Sequence, residues 1–169
     1  MKDKRAIIAP LCWLVVVVGL DQLTKWLVRD SFQLYETKVV VPGFFHLTYI
    51  TNTGAAFGLF AGEQTLARQA FFVAVAMAAL LVMFLTYRHF QSQGPLFVHA
   101  IGMIAGGAVG NLIDRVWFGA VTDFLDFFVK EYHWPAFNVA DSAITVGVGL
   151  FILASLLPTA EQAKIEGSV

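Results

Sequence analysis

Four long apolar runs dominate the pattern of hydrophobic and polar positions along the chain. Each approaches the roughly 20 residues that a helix needs to cross the hydrocarbon core of a bilayer. We therefore predict four membrane-spanning helices, at about residues 6–28, 67–87, 96–116 and 139–157. An even number of spans puts both chain termini on the same side of the membrane.

The segment between the first two spans, residues 29–66, is too polar and too interrupted to cross a bilayer. It contains two runs of β-branched and aromatic residues, 38–41 and 44–50, separated by Pro42-Gly43. Such runs on either side of a turn are typical of paired β-strands. We predict a small β-sheet that lies on the membrane surface.

The second long extramembrane segment, residues 118–137, mixes aromatic and charged side chains. They are Phe124, Phe127, Phe128, Tyr132 and Trp134 with Asp123, Asp126, Lys130 and Glu131. This mixture suits an interfacial loop or a short amphipathic helix, which we expect to be mobile enough to cover a site. The predicted fold class is an all-α membrane protein with four transmembrane helices, a small surface β-sheet, and an interfacial loop or helix on the same face.

The composition agrees with a membrane protein and narrows its partners. Hydrophobic residues make up 58% of the chain and charged residues 14%, against about 25% charged in soluble domains. No linker or repeat divides the sequence, so we predict a single domain over residues 1–169. The net charge is -1 and basic residues form no long run, so no nucleic-acid partner is expected.

Basic residues favour one orientation, by a small excess. The terminal side carries Lys2, Lys4, Arg5, Arg88 and Lys164, and the opposite side carries Arg29, Lys38, Arg68 and Lys130. Lys and Arg concentrate on the cytoplasmic side of membrane proteins. We therefore expect cytoplasmic termini, with the sheet and the opposite helix ends at the periplasmic or outer face.

Polar side chains gather at the helix ends that share this opposite face. Ionisable groups in membrane segments are costly, so each is a candidate for function. The set comprises Asp21, Lys25, Asn111, Asp114, Arg115, Asp123, Asp126, Asn138 and Asp141. Because four helices meet at this face, we expect one polar pocket at the membrane boundary.

Two spacings within the helices indicate structural roles. Asp21 and Lys25 are four residues apart with the acid first, the favourable arrangement for an ion pair along a helix, and we assign this pair a structural role. Gly102, Gly106 and Gly110 recur every fourth residue and predict a face on which another helix packs closely.

Clustered carboxylates also indicate a reaction type. Two carboxylates a few ångströms apart cannot both ionise, so one keeps a proton while the other acts as a base toward water, as in aspartic proteases. No cysteine or serine nucleophile lies in a competing motif, and the histidines lack metal-ligand spacing, so no metal is expected. Four carboxylates remain for two positions, and spacing does not choose among Asp114, Asp123, Asp126 and Asp141.

Two other functions fit part of this pattern. A small transporter or channel subunit would use membrane-embedded Asp and Asn residues as a proton or cation path. An assembly subunit would use its glycine face to bind other helices. The first fits poorly because the carboxylates cluster at one end, and the second leaves the carboxylates unexplained.

Five motifs, in order along the chain, resemble those of the bacterial lipoprotein signal peptidases (signal peptidase II), a family of membrane aspartyl proteases. They are Asp21-Gln22-Leu23-Thr24-Lys25, Asn52-Thr53-Gly54-Ala55-Ala56-Phe57, Gly110-Asn111-Leu112-Ile113-Asp114-Arg115, Val121-Thr122-Asp123-Phe124 and Pro135-Ala136-Phe137-Asn138-Val139-Ala140-Asp141-Ser142. Each motif is short, but together they are specific and cover nearly the whole chain. Gly58 departs from the family pattern, in which a small polar residue is common.

The resemblance implies an inner-membrane endopeptidase without cofactor or metal. Such an enzyme removes the signal peptide from diacylglyceryl-modified prolipoproteins by cutting just before the lipidated cysteine, so the expected partners are these substrates and membrane lipids. The family's catalytic aspartates match Asp123 and Asp141. Its other site positions, which bind substrate or support the site, match Asn52, Asn111, Asp114, Arg115 and Asn138.

Overall fold

The computed structural model describes residues 2–55 and 59–157, which form four long helices and a four-stranded sheet. The helices are α1 (Lys2–Ser31), α2 (Leu66–Gln93), α3 (Pro95–Phe118) and α4 (Val139–Leu156). The strands are β1 (Thr37–Val41), β2 (Phe45–Asn52), β3 (Val121–Val129) and β4 (Tyr132–His133).

Each of these four helices is long and apolar enough to cross a membrane. The four predicted spans are therefore confirmed, although two helices run further than predicted: α1 continues to Ser31 and α2 to Gln93. Their added turns carry polar side chains, so the apolar pattern alone did not reveal them. Large apolar side chains such as Val15, Phe84 and Ile152 are exposed on the protein surface, as contact with lipid requires.

Helix α3 is the centre of the bundle. It packs against α1, α2 and α4, and half of its most apolar stretch is buried, against 11% for α1 and 6% for α2. A helix that is apolar on all sides and enclosed by others can carry buried polar groups without exposing them to lipid.

Glycines let the neighbouring helices approach α3 closely. A Cβ atom at Gly102 would lie 2.8 Å from the Pro10 Cα, and one at Gly106 would lie 2.8 Å from the Val17 Cβ, both on α1. Gly147 on α4 faces the α3 backbone in the same way, since a Cβ atom there would lie 2.9 Å from the Ala100 carbonyl oxygen. The predicted close-packing face is confirmed.

The four strands form one antiparallel sheet in the order β1-β2-β3-β4. The predicted hairpin over residues 38–50 is confirmed as β1 and β2. Its turn contains Gly43 with a φ of 75°, a left-handed conformation that glycine adopts without strain.

The interpretation of residues 118–137 as a loop or short amphipathic helix is wrong. Val121–Val129 is strand β3, which pairs with β2 from Phe45↔Phe127 to Asn52↔Val121 and with β4 on its other side. Its β-branched and aromatic residues favour a strand, but the hydrogen bonds that hold it come from a segment far away in sequence. The strand is therefore held on both sides, and a mobile cover made by residues 121–129 does not fit this pairing.

We predict that Gly102→Ala lowers the stability of the bundle whereas Gly149→Ala does not. The new methyl group at position 102 meets the backbone of α1, and such overpacking costs about 1–3 kcal/mol. At Gly149 on α4 nothing lies within 4 Å, so the methyl group only reduces backbone freedom in the unfolded chain. Thermal unfolding of both variants in a mild detergent measures the difference, and equal losses would contradict the packing argument.

Candidate active site

A groove of about 610 Å³ runs between α2 and α4 over the surface of α3. Its walls are apolar along most of their length, with Phe72, Val75 and Ala76 from α2 and Ile144 from α4. At the end next to the sheet the lining becomes polar, with Asn52, Asn111, Arg115, Asp123 and Asp141. The groove is thus apolar along most of its length and polar at the end next to the sheet.

Asp123 lies on β3 opposite Ile50 and is only 3% exposed. Asn138 Nδ2 donates to its Oδ1 at 2.7 Å, and Asn52 Nδ2 donates to its Oδ2 at 3.2 Å. Burial, followed by the nearby carboxylate of Asp141, raises the pKa of Asp123 to about 7, although both amide hydrogen bonds act in the opposite direction. This carboxyl group therefore exchanges a proton near neutral pH.

Asp141 is the third residue of α4, in a capping box with the N-cap residue Asn138. Asn138 Oδ1 accepts the Asp141 N–H at 2.9 Å, and Asp141 Oδ2 accepts the Asn138 N–H at 3.3 Å. Asn111 Nδ2 donates to Asp141 Oδ1 at 2.8 Å. These hydrogen bonds hold the Asp141 carboxylate in one position at the start of α4.

The chain that connects the two aspartates returns along β3 before α4 begins. Phe124 donates its N–H to the Phe137 carbonyl oxygen at 3.0 Å, and Phe137 donates its N–H to the Leu125 carbonyl oxygen at 3.1 Å. This pairing places the first residues of α4 beside β3. Asn138 consequently donates to both carboxylates, to Asp123 from its side-chain amide and to Asp141 from its backbone N–H.

Arg115, near the end of α3, holds the loop that follows β2. Its Nη2 donates to the Gly54 carbonyl oxygen at 3.0 Å, and its guanidinium lies 5.3 Å from the centre of the Phe72 ring. Asn52 Oδ1 accepts the Gly54 N–H at 2.9 Å, so this loop is held from two sides. Three residues here lie outside the described residues: Ala56 and Phe57, which end the Asn52 motif, and Gly58, where the sequence departs from the family pattern.

Asp114 lies away from the groove, in a fully buried ion cluster. Lys25 Nζ is 2.9 Å from Asp21 Oδ2, 3.0 Å from Asp114 Oδ2 and 2.9 Å from Asn111 Oδ1. Asp114 Oδ2 also accepts the backbone N–H of Thr122 at 2.9 Å. Asp114 is thus committed to contacts that join α1, α3 and β3.

Asp126 lies on the sheet and also away from the groove. Its carboxylate contacts His133 Nδ1 at 2.8 Å and His46 Nδ1 at 3.6 Å, which links β2, β3 and β4. Of the four carboxylates that spacing left open, two line the groove: Asp123 and Asp141.

Several residues of the site gave no signal in the sequence, or a signal that the sequence analysis passed over. Gln22 Nε2 donates to the Gly110 carbonyl oxygen at 3.0 Å and to Asp114 Oδ1 at 3.2 Å, and Gln69 Nε2 donates to the Arg115 carbonyl oxygen at 2.7 Å. Both are polar residues in membrane helices but are not ionisable, so the rule that selected the aspartates did not extend to them. The apolar wall of the groove, by contrast, has no chemical signature in the sequence.

Known proteins with similar sequences share one description. The profile of a family described as "Signal peptidase (SPase) II" matches residues 13–157. A lipoprotein signal peptidase of Syntrophotalea carbinolica is 50% identical over 139 residues, which cover 82% of this chain and 85% of that protein. One of Desulforapulum autotrophicum is 48% identical over 151 residues, 89% of this chain and 93% of that protein.

A solved structure shares the fold. It is described as a bacterial membrane enzyme, determined by the in meso method at 2.3 Å resolution, and it superposes with a TM-score of 0.76 at 33% identity over 87% of each chain. The resemblance noted in the sequence motifs is confirmed by matches that span nearly the whole chain. The chain therefore belongs to the signal peptidase II family.

Proposed function

We propose that the protein is an endopeptidase that removes the signal peptide from prolipoproteins, with Asp123 and Asp141 as a catalytic pair. The names of its relatives support the activity. The observation that carries the catalytic assignment is that both carboxylates line one groove and both accept a hydrogen bond from Asn138, Asp123 from its side-chain amide and Asp141 from its backbone N–H. The transporter alternative has no support, because the carboxylates lie together at one end of the helices.

The shape of the groove suits a substrate that is already in the membrane. A signal peptide is an apolar helix, and the groove walls on α2 and α4 are apolar. Val75 and Val146, one on each wall, are about half exposed at 50% and 52%, so the groove is open along the side that faces lipid. The substrate can therefore enter sideways and bring its cleavage point to the polar end of the groove without leaving the bilayer.

The raised pKa of Asp123 suits the acid of the pair, and Asp141 is then the base. In the proposed reaction the Asp141 carboxylate takes a proton from water as the water oxygen attacks the scissile carbonyl carbon. Protonated Asp123 gives its proton to the carbonyl oxygen. The tetrahedral intermediate then collapses: one of its two hydroxyl groups returns a proton to Asp123 as the carbonyl re-forms, the C–N bond breaks, and the leaving nitrogen receives a proton from Asp141.

The proposed substrate is a prolipoprotein that already carries its lipid. The enzyme cuts just before a diacylglyceryl-modified cysteine, whose acyl chains remain in the bilayer beside the helices. The partners are thus lipid-modified prolipoproteins and membrane lipids, with no nucleic acid. The family relationship supports this chemistry.

We also propose that the protein lies in the bacterial inner membrane with cytoplasmic termini and an outer, periplasmic active site. A small excess of basic residues on the terminal side supports this orientation.

Tyr35, next to the sheet, is 70% exposed. In a Cys12→Ser background, Tyr35→Cys should react with a membrane-impermeant maleimide added to spheroplasts. Reaction only after lysis would reverse the orientation.

We predict that Asp123→Asn and Asp141→Asn each reduce cleavage by roughly 10³-fold or more, because either change removes the acid or the base while it preserves shape. The double variant should be no worse than the single variants, since the two groups act as one unit. The assay incubates purified protein with a diacylglyceryl-modified prolipoprotein and follows the shift to the mature form. An unmodified precursor tests the need for the lipid.

Asp126→Asn is the control for this assay, because it removes a carboxylate that contacts His46 and His133 on the sheet. Its turnover should be close to that of the unchanged protein. Asp114→Asn should lower stability more than turnover, since Asp114 pairs with buried Lys25. Normal cleavage by Asp123→Asn, together with a folded but inactive Asp114→Asn, would transfer the catalytic role to Asp114.

We predict that kcat/KM falls at alkaline pH and that this alkaline limb reports Asp123. Because burial and Asp141 raise the pKa of Asp123 to about 7, the rate should fall as the pH rises through that value and the acid loses its proton.

Asn52→Ala should move the alkaline limb to higher pH. The hydrogen bond from Asn52 stabilises the charged form of Asp123, so its loss raises the pKa of Asp123 further. Thr53→Ala is the matched control, because Thr53 bonds to Gly62 in the same loop. An alkaline limb that stays in place in Asn52→Ala would exclude Asp123 as the acid.

A further inference from the structure

Lys25 lies on α1, a helix that contributes no residue to the groove lining in the described part of the chain. The side chain is fully buried, between the carboxylates of Asp21 and Asp114. A buried ammonium with two carboxylate neighbours would ordinarily be explained by charge neutralisation alone. Charge neutralisation does not explain its contact with the neutral side chain of Asn111.

The ammonium has three N–H donors, and each has its own acceptor. Two go to Asp21 Oδ2 at 2.9 Å and Asp114 Oδ2 at 3.0 Å. The third goes to Asn111 Oδ1 at 2.9 Å, a neutral acceptor that does nothing to balance charge. This third bond points from the ion cluster towards the groove.

The side-chain amide of Asn111 spans the distance between Lys25 and the groove. Its Nδ2 donates to Asp141 Oδ1 at 2.8 Å, while its Oδ1 accepts from Lys25 and, at 3.3 Å, from Asn138 Nδ2. A flipped amide would place its NH₂ group against the ammonium and its oxygen against the Asp141 carboxylate. Both contacts would be repulsive, so the ammonium admits one orientation of the amide.

We propose that Lys25 is a positioning residue for the reaction: its ammonium fixes the Asn111 amide with the N–H directed at Asp141, and so holds the Asp141 carboxylate in place in the groove. The proposal rests on the proposed function, because it takes Asp141 to be the base. Lys25 does not line the groove, and its hydrogen-bonded connection to Asp141 runs through Asn111.

Two double variants separate positioning from charge neutralisation. Asp21→Asn removes one negative charge and keeps an oxygen for the Ala140 N–H that Asp21 Oδ1 accepts at 2.9 Å. Combined with Lys25→Met it leaves the net charge of the cluster unchanged but removes the donor that position 25 gives to Asn111 Oδ1, so that only the longer bond from Asn138 remains. Combined with Lys25→Gln it leaves the same net charge and gives Asn111 an amide N–H donor.

We expect the Lys25→Met double variant to have a kcat about 100-fold lower than the unchanged protein, the cost of a misplaced catalytic group, with KM nearly unchanged. The Lys25→Gln double variant should recover much of that loss at similar thermal stability. Equal kcat values in the two double variants would overturn the proposal, as would a loss confined to KM.

Arg29→Met is the matched control for loss of positive charge near Asp114. Arg29 Nη1 lies 3.5 Å from Asp114 Oδ1 and donates to Thr122 Oγ1 at 3.0 Å. Its removal takes one cation from the same cluster and leaves the Lys25 contact with Asn111 intact. We expect lower stability with nearly unchanged kcat, and a kcat loss equal to that of the Lys25→Met double variant would assign the effect to general disturbance of the ion cluster and overturn the proposal.

If the double variants do not fold, a measurement on the unchanged protein tests whether the Asn111 amide is held against Asp141. With asparagine side chains labelled with ¹⁵N, one Asn111 amide proton should lie downfield and exchange slowly, and Asp141→Asn should shift it. A rapidly exchanging Asn111 amide would overturn the proposal. If the unchanged protein fails to cleave prolipoprotein, the proposed function fails, and this resonance still tests whether Lys25 and Asn111 hold Asp141.

Discussion

The burial of the Lys25 ammonium between Asp21 and Asp114 is the constraint on which the rest of the structure depends. An ion cluster that is removed from water and lipid is costly to open, because each unpaired charge would remain in a medium of low dielectric constant. Its carboxylates reach further: Asp21 accepts the Ala140 N–H on α4, and Asp114 accepts the Thr122 N–H on β3. One cluster thus sets the relative positions of α1, α3, α4 and the sheet.

Close helix packing makes this arrangement possible. The glycines of α3 bring α1 to within contact of its backbone, and Gly110 faces the Asp21 carboxylate directly, where a Cβ atom would lie 2.6 Å from Oδ2. A larger residue at that position would push Asp21 out of reach of Lys25 and Ala140. The apolar packing face and the polar cluster are therefore one structural unit, in which the first sets the distances of the second.

The same residue type plays three different roles, according to its surroundings. Asp21 and Asp114 are saturated by cations and backbone donors, and they hold the scaffold together. Asp126 joins strands through two histidines. Asp123 and Asp141 face a groove and accept side-chain hydrogen bonds from asparagine amides. The proposed catalytic role therefore belongs to the two carboxylates that line the groove.

The sequence by itself determined the four spans, the β1–β2 hairpin, the polar face and the family. These follow from local periodicity, turn chemistry and short motifs, all of which are properties of neighbouring residues. Only the tertiary structure decided that residues 121–129 form a strand, because its hydrogen bonds come from β2. It also decided which carboxylates share the groove. Helical and linear spacing placed Asp114, Asp123, Asp126 and Asp141 near one face, but what each carboxylate contacts depends on elements that meet only when the chain is folded.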